Sequence, residues 1–165
     1  MVKNKLPTVS ILMPTLNAEK FLKLCLESIK NQDYPKDKIE IVIADGGSTD
    51  NTLSIVRKFK IRVIANPLKT AEAGKAVALK HARGDLVALI DSDNILPSAD
   101  WFKKMVKPFQ NKEIVGSEPW EFTHRANDGF IDRYCALMGM NDPICYFLGN
   151  YDTPSRFSFF LASFP

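Results

Sequence analysis

Two aspartates separated by one serine, Asp91 and Asp93, follow directly on "LVALI", an unbroken apolar run at residues 86–90. No core needs carboxylates there, and left to themselves the two repel enough to raise one pKa. A divalent cation removes that repulsion. Hard oxygen ligands suit Mg²⁺ or Mn²⁺, and such ions are often held by one or two carboxylates together with substrate phosphates. The pattern therefore points to a phosphorylated ligand. The local alternative is that both aspartates cap the turn into a helix near Ser98, and D-x-D alone does not separate the two readings.

Other polar residues stand in the same relation to apolar runs. Pro14 and Thr15 follow "TVSILM", Asp45, Gly46 and Gly47 end "IEIVIADGG", and Asn66 ends "IRVIAN". Asp45 is placed to hydrogen-bond a ribose or a base, and the adjacent glycines let a flat ring approach the backbone. A plain turn with Ser48 capping the next helix fits the same residues. The glycines do not form the G-x-G-x-x-G dinucleotide fingerprint, and no G-x-x-x-x-G-K-[ST] phosphate loop is present.

The elements that must position these groups alternate. Strands are expected at 8–13, 39–45, 61–66 and 85–91, with a short fifth in "EIVGSE". Between them lie helices in "NAEKFLKLCLESIKNQ" with Asn17 as N-cap, in "LSIVRKF" capped by Ser48 or Thr49, in "AEAGKAVALKHARG" closed by Gly84, and in "SADWFKKMVKPF" capped by Ser98. Asp50 falls in the first turn of the second helix, where it serves the helix dipole. Strands that are continuously apolar are buried on both faces. The expected fold class is therefore α/β, doubly wound, with a mostly parallel sheet and helices on both faces. Ligands of such sheets bind outside the carboxyl ends of the strands, where the polar residues gather.

Bulk properties narrow the functions. The chain has 165 residues, 45% hydrophobic and 25% charged, with a net charge of +3. That is one domain of ordinary soluble composition, and its scattered Lys and Arg give no nucleic-acid signature. Cys25, Cys135 and Cys145 are widely spaced without a C-x-x-C, so disulfides and structural zinc are not expected, and a reducing, cytoplasmic setting is. No signal peptide or membrane span is visible.

In order and spacing, "VSILMPTLNAEKFLKLCLESIKNQDYP", "IEIVIADGGSTDNTLSIV" and "ARGDLVALIDSDN" resemble the N-terminal half of a family-2 glycosyltransferase of GT-A fold. The resemblance implies transfer of a sugar from a nucleotide-diphosphate sugar to an acceptor, usually with inversion and with Mn²⁺ or Mg²⁺. It places Pro14 and Thr15 beside the nucleotide, Asp45 and Gly46 at base and ribose, and Lys75 near the donor. Ser92 lies within the metal motif, Asp93 becomes the main metal ligand, and Asp91 contacts ribose or metal through water. It also implies a glycan or lipid-carrier acceptor, as in cell-envelope or lipid-linked glycan synthesis. The family commonly has a second aspartate where this chain has Gly46, which leaves the choice of base open.

Residues 8–117 thus read as the nucleotide-sugar-binding half and 118–165 as the start of an acceptor half. Inverting transfer needs a general base, and no acidic pair suited to it follows Asp93. Glu118, Asp128, Asp132, Asp142 and Asp152 remain by elimination, and each also serves as a cap or a solvated charge. With "SRFSFFLASFP" at its end, the chain reads as an incomplete domain whose longer form adds the acceptor lobe and a part that binds the inner face of a membrane. Two other readings stay open: a nucleotide-sugar-binding domain or fragment without turnover, and a sugar-phosphate nucleotidyltransferase. The second normally has a glycine-rich loop with Arg and Lys where this chain has "PTLNAEK".

Overall fold

The computed structural model describes residues 6–117 and 129–130. Its sheet is built from β1 (Val9–Thr15), β2 (Ile39–Asp45), β3 (Arg62–Ala65) and β4 (Leu86–Leu89). Helices α1 (Glu19–Lys30), α2 (Thr52–Lys58), α3 (Ala71–Leu79) and α4 (Trp101–Val106) connect or follow them. Strand order is β3-β2-β1-β4 and every pairing is parallel. The chain winds outward from β1 to β3, then crosses back over β1 to lay down β4. The switch point lies between the carboxyl ends of β1 and β4.

Both faces are covered, as the continuous apolar strands require. Val9, Ile11, Met13 and Ile43 pack with Leu22, Cys25, Leu26 and Ile29 of α1, Val56 of α2 and Phe102 of α4. Leu12, Val42, Ala44 and Val87 point the other way, against Ala78 of α3. Alternate residues of one strand thus serve two cores. The doubly wound α/β layout is as expected from the sequence.

Several boundaries differ, each for a physical reason. β1 does not stop at residue 13. It runs through Pro14, which pairs in register with Ala44, and Thr15, which pairs with Asp45. Leu12 accepts from Ile90 on the β4 side, so by alternation the missing N–H of Pro14 also faces β4, whose pairing has already ended at Leu89. A proline is tolerated where no ladder partner is lost. Asn17 does not cap α1: it sits at φ 51° before an Ala18 N-cap, and its side-chain Oδ1 accepts from the Thr49 N–H at 2.9 Å. Neither Ser48 nor Thr49 caps α2, and Ser98 does not cap α4 but donates to Asp100 at 2.6 Å. Residues 113–117 form no strand.

Gly84 is not a helix terminus either. α3 already ends at Leu79, and Gly84 lies against β1, where a Cβ would meet the Ser10 backbone nitrogen at 2.6 Å and the Leu86 carbonyl oxygen at 2.9 Å. Its N–H donates to Ser10 Oγ at 2.8 Å. The residue is glycine because two backbones approach there. Gly84→Ala should therefore destabilise the chain by about 2 kcal/mol, in the range of overpacked interiors. Urea denaturation showing less than about 0.5 kcal/mol would contradict this close approach.

Candidate donor site at the carboxyl edge of the sheet

Two loops at the carboxyl edge are laced to each other. Asp50 accepts from the Glu19 N–H at 3.0 Å and from the Thr52 N–H at 2.9 Å, so one carboxylate caps both α1 and α2. Glu19 replies by accepting from the Asn51 N–H at 2.9 Å, and Thr52 Oγ1 accepts from the Ala18 N–H at 2.8 Å. Desolvation pushes the Asp50 pKa up, but its hydrogen bonds from Thr52 and Glu19 outweigh it and hold the carboxyl below its ordinary value. Asp50 thus does more than the helix-dipole role read from its position.

Asp45, only 6% exposed, is the centre of the second loop. Its Oδ1 accepts from Thr15 Oγ1 at 2.9 Å and Ser48 Oγ at 2.6 Å, and its Oδ2 from the Gly47 and Ser48 N–H groups at 2.9 and 2.8 Å. A carboxylate has about four acceptor sites, so this one is saturated. Burial pushes its pKa up, but the bonds from Ser48, Thr15 and Gly47 outweigh it and hold the carboxyl below its ordinary value. Ser48, read from sequence as a helix cap, instead donates to Asp45 while its Oγ accepts from the Asn17 N–H at 2.9 Å.

The Asp91–Ser98 loop hangs on α1. Cys25 Sγ donates to the Asp91 carbonyl at 3.6 Å, the Leu96 N–H donates to Ser28 Oγ at 3.1 Å, and Gln32 Nε2 donates to the Ser98 carbonyl at 2.8 Å. Gln32 is buried, and its Oε1 also accepts the Phe102 N–H of α4 at 3.2 Å. Cys25 is a buried structural thiol: burial first, then the charges of Asp93 and Asp91, push its pKa up to about 12. Cys135 and Cys145 lie outside the described residues.

These supports leave two neighbouring clefts. One, of about 360 Å³, is lined by Pro14, Thr15, Asn66, Lys69, Asp91, Ser92 and Asp93, among others, and opens at the switch point. The other, of about 400 Å³, is lined mainly by apolar groups between Gly46, Gly47, Leu53, Ile64 and Pro67, with Asp45 at its edge. Asn66 and Lys69 belong to both walls. Beside Gly47, at φ +88°, nothing lies within 4 Å of a would-be Cβ, so a ring has room there. Lys75 reaches the first cleft through Asp91, its Nζ lying 3.0 Å from Asp91 Oδ1.

Of the residues singled out from sequence, Pro14, Thr15, Asp91, Ser92 and Asp93 meet in the first cleft, Asp45 and Gly46 flank the second, and Lys75 joins through its ion pair. The candidate bases Glu118, Asp128, Asp132, Asp142 and Asp152 lie outside the described residues. Lys69 was not foreseen. It owes its place to a left-handed backbone, φ 61°, after the Asn66-Pro67 turn, and its one sequence signal is a basic residue just past a strand end. Among the described residues no cluster of three or more His, Cys, Asp or Glu side chains converges as a metal cage. Asp91 and Asp93 are hard oxygen donors at an open cleft, which suits an ion that completes its shell with phosphate.

Residues 10–160 match the model of the Glycosyl transferase family 2. The chain belongs to that family. It is 40% identical over 93 residues to the poly(ribitol-phosphate) beta-N-acetylglucosaminyltransferase TarS of Staphylococcus aureus strain Mu50, covering 53% of this chain and 16% of that protein. A crystal structure of S. aureus TarS 1-349 in complex with UDP-GlcNAc superposes with a TM-score of 0.61 at 28% identity, covering 74% of this chain and 36% of that one. A dolichyl N-acetyl-alpha-D-glucosaminyl phosphate 3-beta-D-2,3-diacetamido-2,3-dideoxy-beta-D-glucuronosyltransferase of Methanococcus voltae is 33% identical over 118 residues, covering 67% of this chain and 36% of that protein. The mannosyltransferase PcManGT of Pyrobaculum calidifontis, solved with GDP-Man and Mn²⁺, superposes with a TM-score of 0.65 at 28% identity, covering 78% of this chain and 39% of that one. The chain thus spans well under half the length of these relatives. The fold is the GT-A type that the resemblance implied, and family membership sets the nucleotidyltransferase reading aside.

The saturated carboxylate of Asp45 makes a pH-dependent contribution to stability. Because its folded pKa lies below the ordinary 3.8, the contribution is present above that value and is lost as pH falls through the folded one. Asp45→Asn should cost about 1–3 kcal/mol at pH 7, the range for disrupted buried hydrogen bonds. The difference between wild type and variant should shrink in acid, as pH falls below 3.8 and through the lowered folded pKa, where the wild-type carboxylate protonates. Urea midpoints for both proteins at pH 7 and in acid check it; no difference at pH 7 would remove Asp45 from the loop's support, and an equal difference at both would show that the support does not depend on its charge.

Proposed function

We propose that this chain carries the donor half of a metal-dependent glycosyltransferase, which moves a sugar from a nucleotide-diphosphate sugar to an acceptor hydroxyl with inversion. The carrying observation is the switch-point cleft, where Asp91, Ser92 and Asp93 face Pro14 and Thr15 beside an apolar cleft of a size for a base. In this reading the base lies against Gly46 and Gly47, on the loop that Asp45 holds. Lys69 and Thr70 line the wall past which the diphosphate runs. Asp93, with Asp91 beside it, would hold Mn²⁺ or Mg²⁺, whose charge when bound offsets that developing on the leaving nucleoside diphosphate.

The relatives support the donor class. TarS was crystallised with UDP-GlcNAc and PcManGT with GDP-Man and Mn²⁺. For the acceptor, the names of two relatives, one acting on poly(ribitol-phosphate) and one on a dolichyl-linked sugar phosphate, favour a glycan or lipid carrier of the cell envelope. We place the protein in the cytoplasm at the inner membrane face, attached through a longer C-terminal part. Among the described residues no helix is long and apolar enough to cross a membrane. Among the described residues the carboxylates lining the first cleft are Asp91 and Asp93; in this reading the general base belongs to the segment after 117, with Asp142 and Asp152 as candidates. Residues 118–165 then open the acceptor half.

Asp93→Ala should leave the melting temperature of the free chain unchanged or slightly raised, because an exposed charge facing another carboxylate adds nothing to packing. Calorimetry with UDP-GlcNAc, GDP-mannose and Mn²⁺ should show a donor bound by wild type and weakened at least about tenfold, ~1.4 kcal/mol, in the variant. Equal Mn²⁺-dependent affinity in both would sink the assignment of Asp93. Donor binding without transfer to any acceptor would favour a binding domain lacking turnover.

A further inference from the structure

Lys75 sits where a cation is needed before any ligand arrives. α3 starts at a fixed point, because Thr70 caps it by accepting the Ala73 N–H at 3.2 Å. The helix then closes tightly on the end of β1: a Cβ on Gly74 would meet Pro14 Cβ at 2.8 Å and Asn66 Nδ2 at 3.0 Å. Glycine in a helix interior is unfavourable by about 1 kcal/mol against alanine, and here it lets the next residue reach the switch point. Lys75 Nζ lies 3.0 Å from Asp91 Oδ1, with the lysine side chain 29% and the aspartate 49% exposed. That Oδ1 atom is itself buried and accepts no hydrogen bond among the described residues. The ammonium is therefore its charge partner.

We propose that Lys75 is a resident counter-ion of Asp91 that passes to the donor's diphosphate, and that this exchange makes divalent-cation binding depend on the nucleotide. The inference rests on the nucleotide-sugar reading of the site. With Lys75 in place, the charges of Asp91 and Asp93 are half cancelled, and the chain alone is a poor ligand for a divalent ion. A diphosphate competes for the ammonium, and once Lys75 turns to it, both carboxylates face the cation. A lysine suits the exchange, being a point charge with rotatable donors on a flexible four-carbon stem. The loop need not move when the partner changes. The Asp91 N–H donates to Asn94 Oδ1 at 3.1 Å, and its carbonyl accepts from Cys25 and from the Asn94 N–H at 3.1 Å. Linkage is reciprocal, so the nucleotide strengthens metal binding by the factor by which metal strengthens nucleotide binding.

The experiment measures free Mn²⁺ by electron paramagnetic resonance in titrations of the wild-type chain, Lys75→Met and Lys75→Arg, each with and without UDP. Removing one charge at this distance should tighten Mn²⁺ alone about tenfold in Lys75→Met. UDP in saturating Mn²⁺ should bind this variant about tenfold more weakly, Lys69 retaining part of the phosphate attraction. The enhancement of Mn²⁺ binding by UDP should collapse in Lys75→Met and persist in Lys75→Arg, a contrast that lost packing alone would not produce. Unchanged Mn²⁺ affinity in Lys75→Met, or an unchanged enhancement by UDP, overturns the proposal. Absence of any UDP binding by the wild-type chain overturns the donor reading and the exchange together. UDP binding with intact coupling in Lys75→Met overturns the exchange alone.

Discussion

The structure depends on β1 being paired in parallel on both sides. β2 and β4 flank it in register, Ile11 facing Ile41 on one side and Ala88 on the other. Parallel pairing makes the strands end at the same edge, and burial of both faces leaves that edge as the place where backbone and polar side chains meet solvent. The reversal of winding direction about β1 then parts the connections above it, and the crevice of the switch point opens there. A cleft follows from topology before any side chain is chosen.

What keeps the cleft open is polar and local. Loops at a sheet edge carry N–H and C=O groups that need partners, and this chain supplies them from short side chains. Asp45 satisfies two N–H groups and two hydroxyls, while Asp50 and Glu19 exchange caps between the loops after β1 and β2. On the far side, Cys25, Ser28 and Gln32, spaced by three and four residues on or just past α1, fasten the Asp91–Ser98 loop. Such spacing puts them on one helical face. The carboxylates at the cleft are thus presented by a loop that is itself held at three points.

Charge at the edge is balanced without being neutralised. Asp45 and Asp50 are consumed by hydrogen bonds and serve structure. Asp91 meets a lysine from the helix on the opposite face of the sheet, and Asp93 stands exposed beside it. Lys69 adds a basic group at the wall shared by the two clefts. An edge with carboxylates on the loop after β4, a lysine reaching over from α3 and a basic divider suits a ligand that carries both phosphate and a metal ion. A purely cationic or purely anionic ligand would leave one of these sets unmatched.

Much of this was legible in the residues. Continuous apolar runs predict parallel strands buried on both faces, and the polar residues that end them predict the edge at which the site lies; the D-x-D spacing and the family motifs supply the chemistry. These are local patterns, and local patterns survive translation into structure. What the chain alone did not declare are interactions between residues far apart in sequence. Gly84 looks like a helix stop until Ser10 is seen against it, Ser48 like a helix cap until its Oγ is seen holding the Asn17 N–H, and Lys69 like a surface lysine until it is found lining the cleft with Pro14 and Asp91. The Lys75–Asp91 pair is closed by α3 settling onto Pro14 through Gly74. Such contacts form only when the strands pair and the crossover from β3 to β4 brings segments together, and no periodicity records which atoms that assembly will place within hydrogen-bonding distance.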